Sequence, residues 1–193
     1  MIILIYGGSG SGKSEFAEDY VCATPFDNRF YLATMNATDR ESKLRIKKHR
    51  NQRKGKGFIT LEHPMDVDEA LTEIDRIKAP EFFTNESLEG GSIILLECMS
   101  NLVANEMFRD GLILDETSCV RKVLHDVSRI NDSVETLVIV SNDIYEDGVE
   151  YDIGTKAYLN ALGTINRRLA HMAEEVYEVV VGIPIKIKDN KGT

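Results

Sequence analysis

Near its start the 193-residue chain carries Gly7, Gly8, Ser9, Gly10, Ser11, Gly12, Lys13 and Ser14 in one block, the pattern G-x4-G-K-[ST]. Each part has a physical use. The glycines let the backbone fold round a phosphate with its N–H groups turned inward, and the helix expected after Lys13 adds the positive end of its dipole. Lys13 would reach the β- and γ-phosphates, and the Ser14 hydroxyl would ligate Mg²⁺. A plain Gly/Ser-rich turn between strand and helix is the competing reading, but it gives no reason for the lysine or the serine. A nucleoside triphosphate is therefore the expected ligand.

Such a loop needs a carboxylate at a nearby strand end to hold or orient the metal. Glu97, after the apolar run Ile93–Leu96, and Asp143, after the run ending at Asn142, both offer one. Glu97 is favoured, because its strand reads as central to a sheet. A third feature is cationic. Nine of the 23 basic residues lie between Arg40 and Lys56, with Arg45, His49 and Arg53 four residues apart on one helix face. Two guanidiniums beside an imidazole would bind phosphate, and the imidazole in that setting can attack an α-phosphate. A solvated histidine on a basic helix has the same spacing. His63, His125 and His171 have no comparable cluster and read as structural or exposed.

These residues need a frame, and the hydrophobic pattern predicts one. Short apolar strands are expected at Ile2–Tyr6, Arg29–Thr34, Phe58–Glu62, Ile93–Glu97 and Thr136–Val140, with a closing pair at Val176–Val181 and Ile185–Ile187. Helices are expected at Ser14–Val21, Asp39–Lys54, Asp66–Lys78, Met99–Phe108, Glu116–Ile130 and Ile153–Ala173. The stretch Pro80–Gly91 reads as a surface loop, and so does the polar run after Val140 up to Asp152. Strands alternating with helices, several of them continuously apolar, predict an α/β fold with a mainly parallel sheet covered on both faces.

Composition narrows the partners. The chain is 42 % hydrophobic and 28 % charged, ordinary globular usage, and its length suits one domain over residues 1–193. A net charge of −9 argues against general nucleic-acid binding, which needs a surplus of cations. No apolar run approaches the roughly 18 residues of a membrane span. No basic residue precedes the apolar Met1–Tyr6 stretch, so a signal peptide is not expected. Cys22, Cys98 and Cys119 are far apart and form neither a disulfide framework nor a zinc motif, which suits the cytoplasm.

Taken together, the motifs resemble those of the bifunctional adenosylcobinamide kinase / adenosylcobinamide-phosphate guanylyltransferases of cobalamin synthesis. The resemblance is carried by Gly7–Ser14, Tyr31-Leu32-Ala33-Thr34, Asp39 and Glu41, and Arg45-Ile46-x-x-His49-Arg50-x-x-Arg53. Thr60, Glu62 and Pro64, Leu95-Leu96-Glu97-Cys98, Asn105, Gly163, Asn166 and Gly182-Ile183-Pro184 extend it over nearly the whole chain. It implies a RecA-like P-loop fold and two reactions: phosphorylation of adenosylcobinamide by ATP or GTP, then transfer of GMP from GTP through a guanylylated histidine. That histidine would be His49, with Lys13 and Glu97 completing the catalytic set. Nucleotide contacts would fall on Gly7–Ser14, Ala33, Thr34, Arg50, Arg53, Glu62 and Glu97, and Mg²⁺ on Ser14 and Glu97. A corrinoid acceptor and a homo-oligomer, commonly a trimer, are implied as well.

The chain departs from the family's pattern at Ser141–Glu150, where a Gly-Pro loop is missing, and at Tyr158-Leu159-Asn160, where an arginine is missing. Both changes bear on the acceptor side and the kinase step rather than on nucleotidyl transfer. Two other classes of function stay open on sequence: a P-loop kinase of another small molecule with no covalent nucleotide, and a non-catalytic nucleotide-binding module.

Overall fold

The computed structural model describes residues 1–36, 40–79, 90–144 and 151–190, apart from the side chains of Glu41, Arg45, Lys48, Gln52 and Asp110. Residues 80–89 of the loop expected at Pro80–Gly91, the helix start at Asp39 and residues 145–150 of the departure at Ser141–Glu150 therefore lie outside the described residues. Seven strands form one sheet: β1 (Ile2–Gly7), β2 (Asn28–Ala33), β3 (Phe58–Glu62), β4 (Ser92–Glu97), β5 (Thr136–Asn142), β6 (Glu175–Val180) and β7 (Ile183–Asp189). Their order is β3-β2-β4-β5-β1-β6-β7. Every pairing is parallel except β6 with β7.

Among the described residues six α-helices accompany the sheet: α1 (Lys13–Cys22), α2 (Arg40–Arg53), α3 (Ala70–Lys78), α4 (Met99–Met107), α5 (Glu116–Ser133) and α6 (Ile153–Met172). Alternation along the strands sorts the core into two layers. Leu4, Ile94, Leu96, Leu137 and Ile139 face one way, into a core shared with apolar residues of α3 to α6. Ile3, Ile5, Ile93, Leu95, Val138 and Val140 face the other way, with Ala17 and Val21 of α1. The central strands are apolar on both sides because both sides are covered.

The expected elements are present with most ends shifted by a residue or two and the end of α5 by three, and two differences have physical causes. Regular helix α3 begins at Ala70 rather than at Asp66, because Asp66 adopts a left-handed φ of 47° and a 3-10 turn over Val67–Glu69 intervenes. Strand β7 starts at Ile183 and so includes Pro184, which an edge strand tolerates because only one of its sides is paired.

Capping differs between helices in a useful way. The side chains of Asp115 and Asp152 cap α5 and α6, accepting from Ser118 N and Thr155 N at 3.0 Å each. Helix α1 starts after Gly12, at φ 91°, with no side-chain cap. A helix N-terminus left uncapped keeps donors and dipole available to an anion.

Candidate active site

Parallel register builds the site. Ala33, at the end of β2, stands opposite both Glu62 of β3 and Glu97 of β4, so three residues distant in sequence lie side by side at the C-terminal edge of the sheet. Two residues back, Tyr31 aligns with Thr60 and Leu95, and by alternation it shares the face of Ala33. Tyr31 and Leu95 both belong to the core layer beneath α1.

On that face the glycine loop closes over the end of β1. A methyl group at Gly7 would lie 2.5 Å from the carbonyl oxygen of Val179, and one at Gly12 would lie 3.2 Å from Gly182 Cα. At Gly7 the backbone passes too closely for any side chain, and at Gly12 a tight approach combines with a φ of 91° that other residues rarely adopt. The β6–β7 turn is tied to the loop by Gly182 N donating to Ser11 O at 2.8 Å. Lys13 is 7 % exposed and its Nζ donates to Gly8 O at 3.0 Å. Burial pulls its ammonium below the ordinary value, against the opposing pull of Cys98 and Glu97.

Glu97 joins the two halves of the site. Its Oε1 accepts from the Ser14 hydroxyl, and its Oε2 accepts from the Tyr31 hydroxyl at 2.8 Å. Burial first, then the charge of Glu97, pushes the Tyr31 phenol well above its usual range, so it stays a donor. Arg53 lies over the Tyr31 ring, its Cζ 3.4 Å from the centroid. That is close cation–π stacking.

Helix α2 turns Ile46, His49 and Arg53 toward a cavity of 50 Å³, which Tyr31, Ala33, Met35, Arg50, Glu62, Glu97, Cys98 and Asn101 also line. Three nitrogens there are buried and lack any hydrogen-bond partner among the described residues: His49 Nδ1, Arg53 Nε and Arg53 Nη1. Unpaired buried polar groups are costly to a fold, so their presence together points to a ligand that supplies partners, acceptors above all for the Arg53 guanidinium. At the mouth, Arg50 pairs with Glu62. The side chain of Arg45, expected beside His49, lies outside the described residues.

Against this geometry, the sequence profile of the cobinamide kinase / cobinamide phosphate guanyltransferase family matches residues 3–187. The chain belongs to this family. It is 28 % identical over 199 residues to the bifunctional adenosylcobalamin biosynthesis protein CobU of Escherichia coli (strain K12), covering 97 % of this chain and 100 % of the relative. The CobU of Salmonella typhimurium is also 28 % identical, over 197 residues and with the same coverage. CobP of Pseudomonas aeruginosa is 27 % identical over 187 residues, 96 % of each chain. Among solved structures an ATPase domain superposes with a TM-score of 0.57 at 11 % identity, covering 100 % of this chain and 78 % of that one. That likeness is one of fold, and it agrees with the P-loop architecture expected from Gly7–Ser14.

For a member of the cobinamide kinase family, most of the residues singled out in the sequence come together. His49, Arg50, Arg53, Ala33, Glu62 and Glu97 line one cavity, and Ser14 is bonded to Glu97 from the loop side. Thr34 stands differently. It is fully buried, its hydroxyl donates to Cys98 O at 2.8 Å and accepts from Cys98 N at 2.7 Å, and its backbone N–H donates to Glu97 O. Its visible work is to set the turn that presents Glu97. Asn105 braces the same turn, donating to Thr34 O and Pro64 O at 2.9 Å each. Between the two acids considered for the metal, Ser14 is bonded to Glu97, whereas Asp143 is exposed and donates its backbone N–H to Gly7 O. Sequence reasoning gave Tyr31 no role in the site. An aromatic residue inside an apolar strand reads as core, and nothing local marks a hydroxyl whose partner is 66 residues away. At the departure from the family pattern, the Tyr158 hydroxyl donates to Ser100 O at 3.2 Å.

Among the described residues no group of three or more His, Cys, Asp and Glu could hold a metal ion alone. Ser14 and Glu97 nonetheless supply one hydroxyl and one carboxylate oxygen in contact, beside the loop. Mg²⁺ suits such a pair, because it takes few protein oxygens and completes its shell with water and substrate phosphates.

Proposed function

We propose that this chain, acting over its whole length as one kinase and nucleotidyltransferase domain, phosphorylates adenosylcobinamide with ATP or GTP and then converts the product to adenosylcobinamide-GDP with GTP. One observation carries the second step: a histidine with an unpartnered ring nitrogen shares a cavity with two unpartnered arginine nitrogens and with the carboxylate that touches the P-loop serine.

In the proposed mechanism the Gly7–Ser14 loop and Lys13 hold the phosphates. Ser14 and Glu97 would hold Mg²⁺, which when bound neutralises charge on the phosphate oxygens. A ring nitrogen of His49 attacks the α-phosphorus of GTP, a P–N bond forms, the bond to the bridging oxygen breaks, and pyrophosphate leaves. Arg53 and Arg50 stabilise charge on the α-phosphoryl oxygens. A phosphate oxygen of adenosylcobinamide-phosphate then attacks the same phosphorus, the P–N bond breaks, and neutral imidazole is regenerated. Ala33, Thr34 and Glu62 complete the proposed nucleotide contacts.

Two further parts of the reading rest on separate observations. Ile183, Ile185 and Ile187 are exposed at 62 %, 47 % and 53 % on edge strand β7, which supports a homo-oligomer, with a trimer as the form the resemblance implies. A monomeric mass by light scattering would remove that part. Three free cysteines suit a reducing compartment such as the cytoplasm; among the described residues no helix is long and apolar enough to cross a membrane.

The deciding experiment is intact-protein mass after incubation with GTP and Mg²⁺. One GMP adduct is expected, lost in acid as a phosphoramidate is, and absent from His49→Ala. The same variant should still phosphorylate adenosylcobinamide, because a histidine nucleophile has no part in that step. Absence of the adduct from wild-type protein that still binds GTP would leave a P-loop kinase without a covalent nucleotide.

A further inference from the structure

Tyr31 touches both halves of the site. Its hydroxyl holds Glu97 Oε2 while Ser14 holds Oε1, so both carboxylate oxygens are pinned and the plane of the group is set. Its ring lies under the Arg53 guanidinium. The same side chain is 4 % exposed, packs edge-on against Phe58 at 6.0 Å between centroids, and lines the cavity beside His49. A tyrosine so confined transmits position, because moving its ring displaces Arg53 and moving its hydroxyl displaces Glu97.

We infer that Tyr31 is a positioning residue that couples the P-loop to the histidine helix: its hydroxyl orients the Glu97 carboxylate and its ring seats Arg53 beside His49. A phenylalanine would pack the core equally well, and a leucine would fill most of the volume. What neither supplies is a rigid ring ending in a donor at the level of Glu97. The inference rests on the proposed reading of Glu97 as a metal ligand and His49 as the nucleotide acceptor.

The two contacts separate by substitution. Tyr31→Phe keeps the ring and removes the bond to Glu97; Tyr31→Leu removes both. The first measurement is calorimetric binding of a non-hydrolysable GTP analogue with and without Mg²⁺. In Tyr31→Phe the gain in affinity that Mg²⁺ confers should shrink about tenfold, the scale of one hydrogen bond to a charged group, while metal-free binding stays at the wild-type value. GMP adduct formation in this variant should be slow at limiting Mg²⁺ and recover at saturation. In Tyr31→Leu saturating Mg²⁺ should not restore it, because Arg53 has lost its seat. A purely structural role predicts a lower melting temperature and activity scaled by the folded fraction, with unchanged Mg²⁺ dependence in Tyr31→Phe, and that result overturns the inference. Failure of the functional reading looks different: wild-type protein itself would form no adduct, whatever Tyr31→Phe does to the calorimetric Mg²⁺ increment.

Discussion

On the α3–α6 side of the sheet Glu106 is 2 % exposed, and the protein supplies its carboxylate with partners of its own. Its Oε1 accepts from Asp66 N at 2.7 Å, Lys122 Nζ lies 3.8 Å away, and Arg109 Nη1 lies 3.9 Å from the other oxygen. Lys122 also pairs with Asp66 at 2.9 Å and with buried Asp126. On the α1 side Arg53 is 6 % exposed, yet two of its nitrogens and one of His49 have no partner among the described residues, which offer the cation an aromatic face instead. Both regions bury charge. In the first the fold supplies a hydrogen-bond donor and ion-pair partners itself; in the second it supplies none to these nitrogens, which costs stability and points to a ligand that does. Buried charge alone therefore does not mark a site. Buried charge with unmet donors does.

The sharpest break in that comparison comes from Arg53→Met. Losing the stack on Tyr31 removes about 1 kcal/mol, but relieving two unpartnered buried nitrogens returns a similar amount. Thermal stability should therefore stay within about 1 kcal/mol of wild type, while affinity for a GTP analogue and the rate of GMP adduct formation fall roughly 10- to 100-fold. Arg53→Lys should rescue little, because an ammonium neither stacks as a plane nor donates as a fork. A large drop in melting temperature with unaltered binding would place Arg53 among the structural charges instead.

Lys122→Met sharpens the comparison from the other side. It strands Glu106 and Asp126, both almost fully buried, beside Asp66. Breaking a fully buried pair costs several kcal/mol; Lys122 is 31 % exposed, so about 2 kcal/mol is expected, seen as a lower urea midpoint. Turnover per folded molecule should be unchanged. A loss of nucleotide binding as large as that in Arg53→Met would dissolve the distinction between the two regions.

How much of this was readable beforehand depended on whether the signal was local. The loop Gly7–Ser14 is contiguous, so the motif and the flanking strand and helix specified it. His49 and Arg53 are one helical turn apart, and periodicity alone put them on one face. Glu97 was legible as the acid ending an apolar strand, whereas Glu62 was reached only through the resemblance; that both stand beside Ala33 comes from parallel register across three strands, which no local pattern carries. Tyr31 was invisible as a site residue because its meaning lies in a partner 66 residues away and in an arginine stacked from a separate helix. The left-handed Asp66 that delays α3 belongs to the same class. Its N–H meets Glu106, and its carboxylate meets Lys122 and Arg109, contacts made by elements far along the chain.

The smallest effect tests the closed region through pH. Burial raises the Glu106 and Asp126 carboxyls above their ordinary values of 4.5 and 3.8, although Lys122 pulls both down. A raised carboxyl means that the folded protein keeps protons the unfolded chain has released. Stability from these groups is therefore present below the unfolded pKa and is lost as pH rises through the folded one. The contribution of these two groups to the unfolding free energy should accordingly slope downward from about pH 4 upward, against the opposite contribution of Asp115, Glu135 and Asp152, whose carboxyls are held below their ordinary values. Glu106→Gln still accepts from Asp66 N and cannot ionise, so it should flatten the slope while leaving neutral-pH stability equal or slightly higher. Lys122→Met should steepen the slope, because the charge that pulls both acids down is gone. Urea titrations of the three proteins across this range check the pair of opposite changes. If both variants keep the wild-type slope, burial of Glu106 and Asp126 is not what the folded protein balances with Lys122, and the contrast with Arg53 must rest on geometry alone.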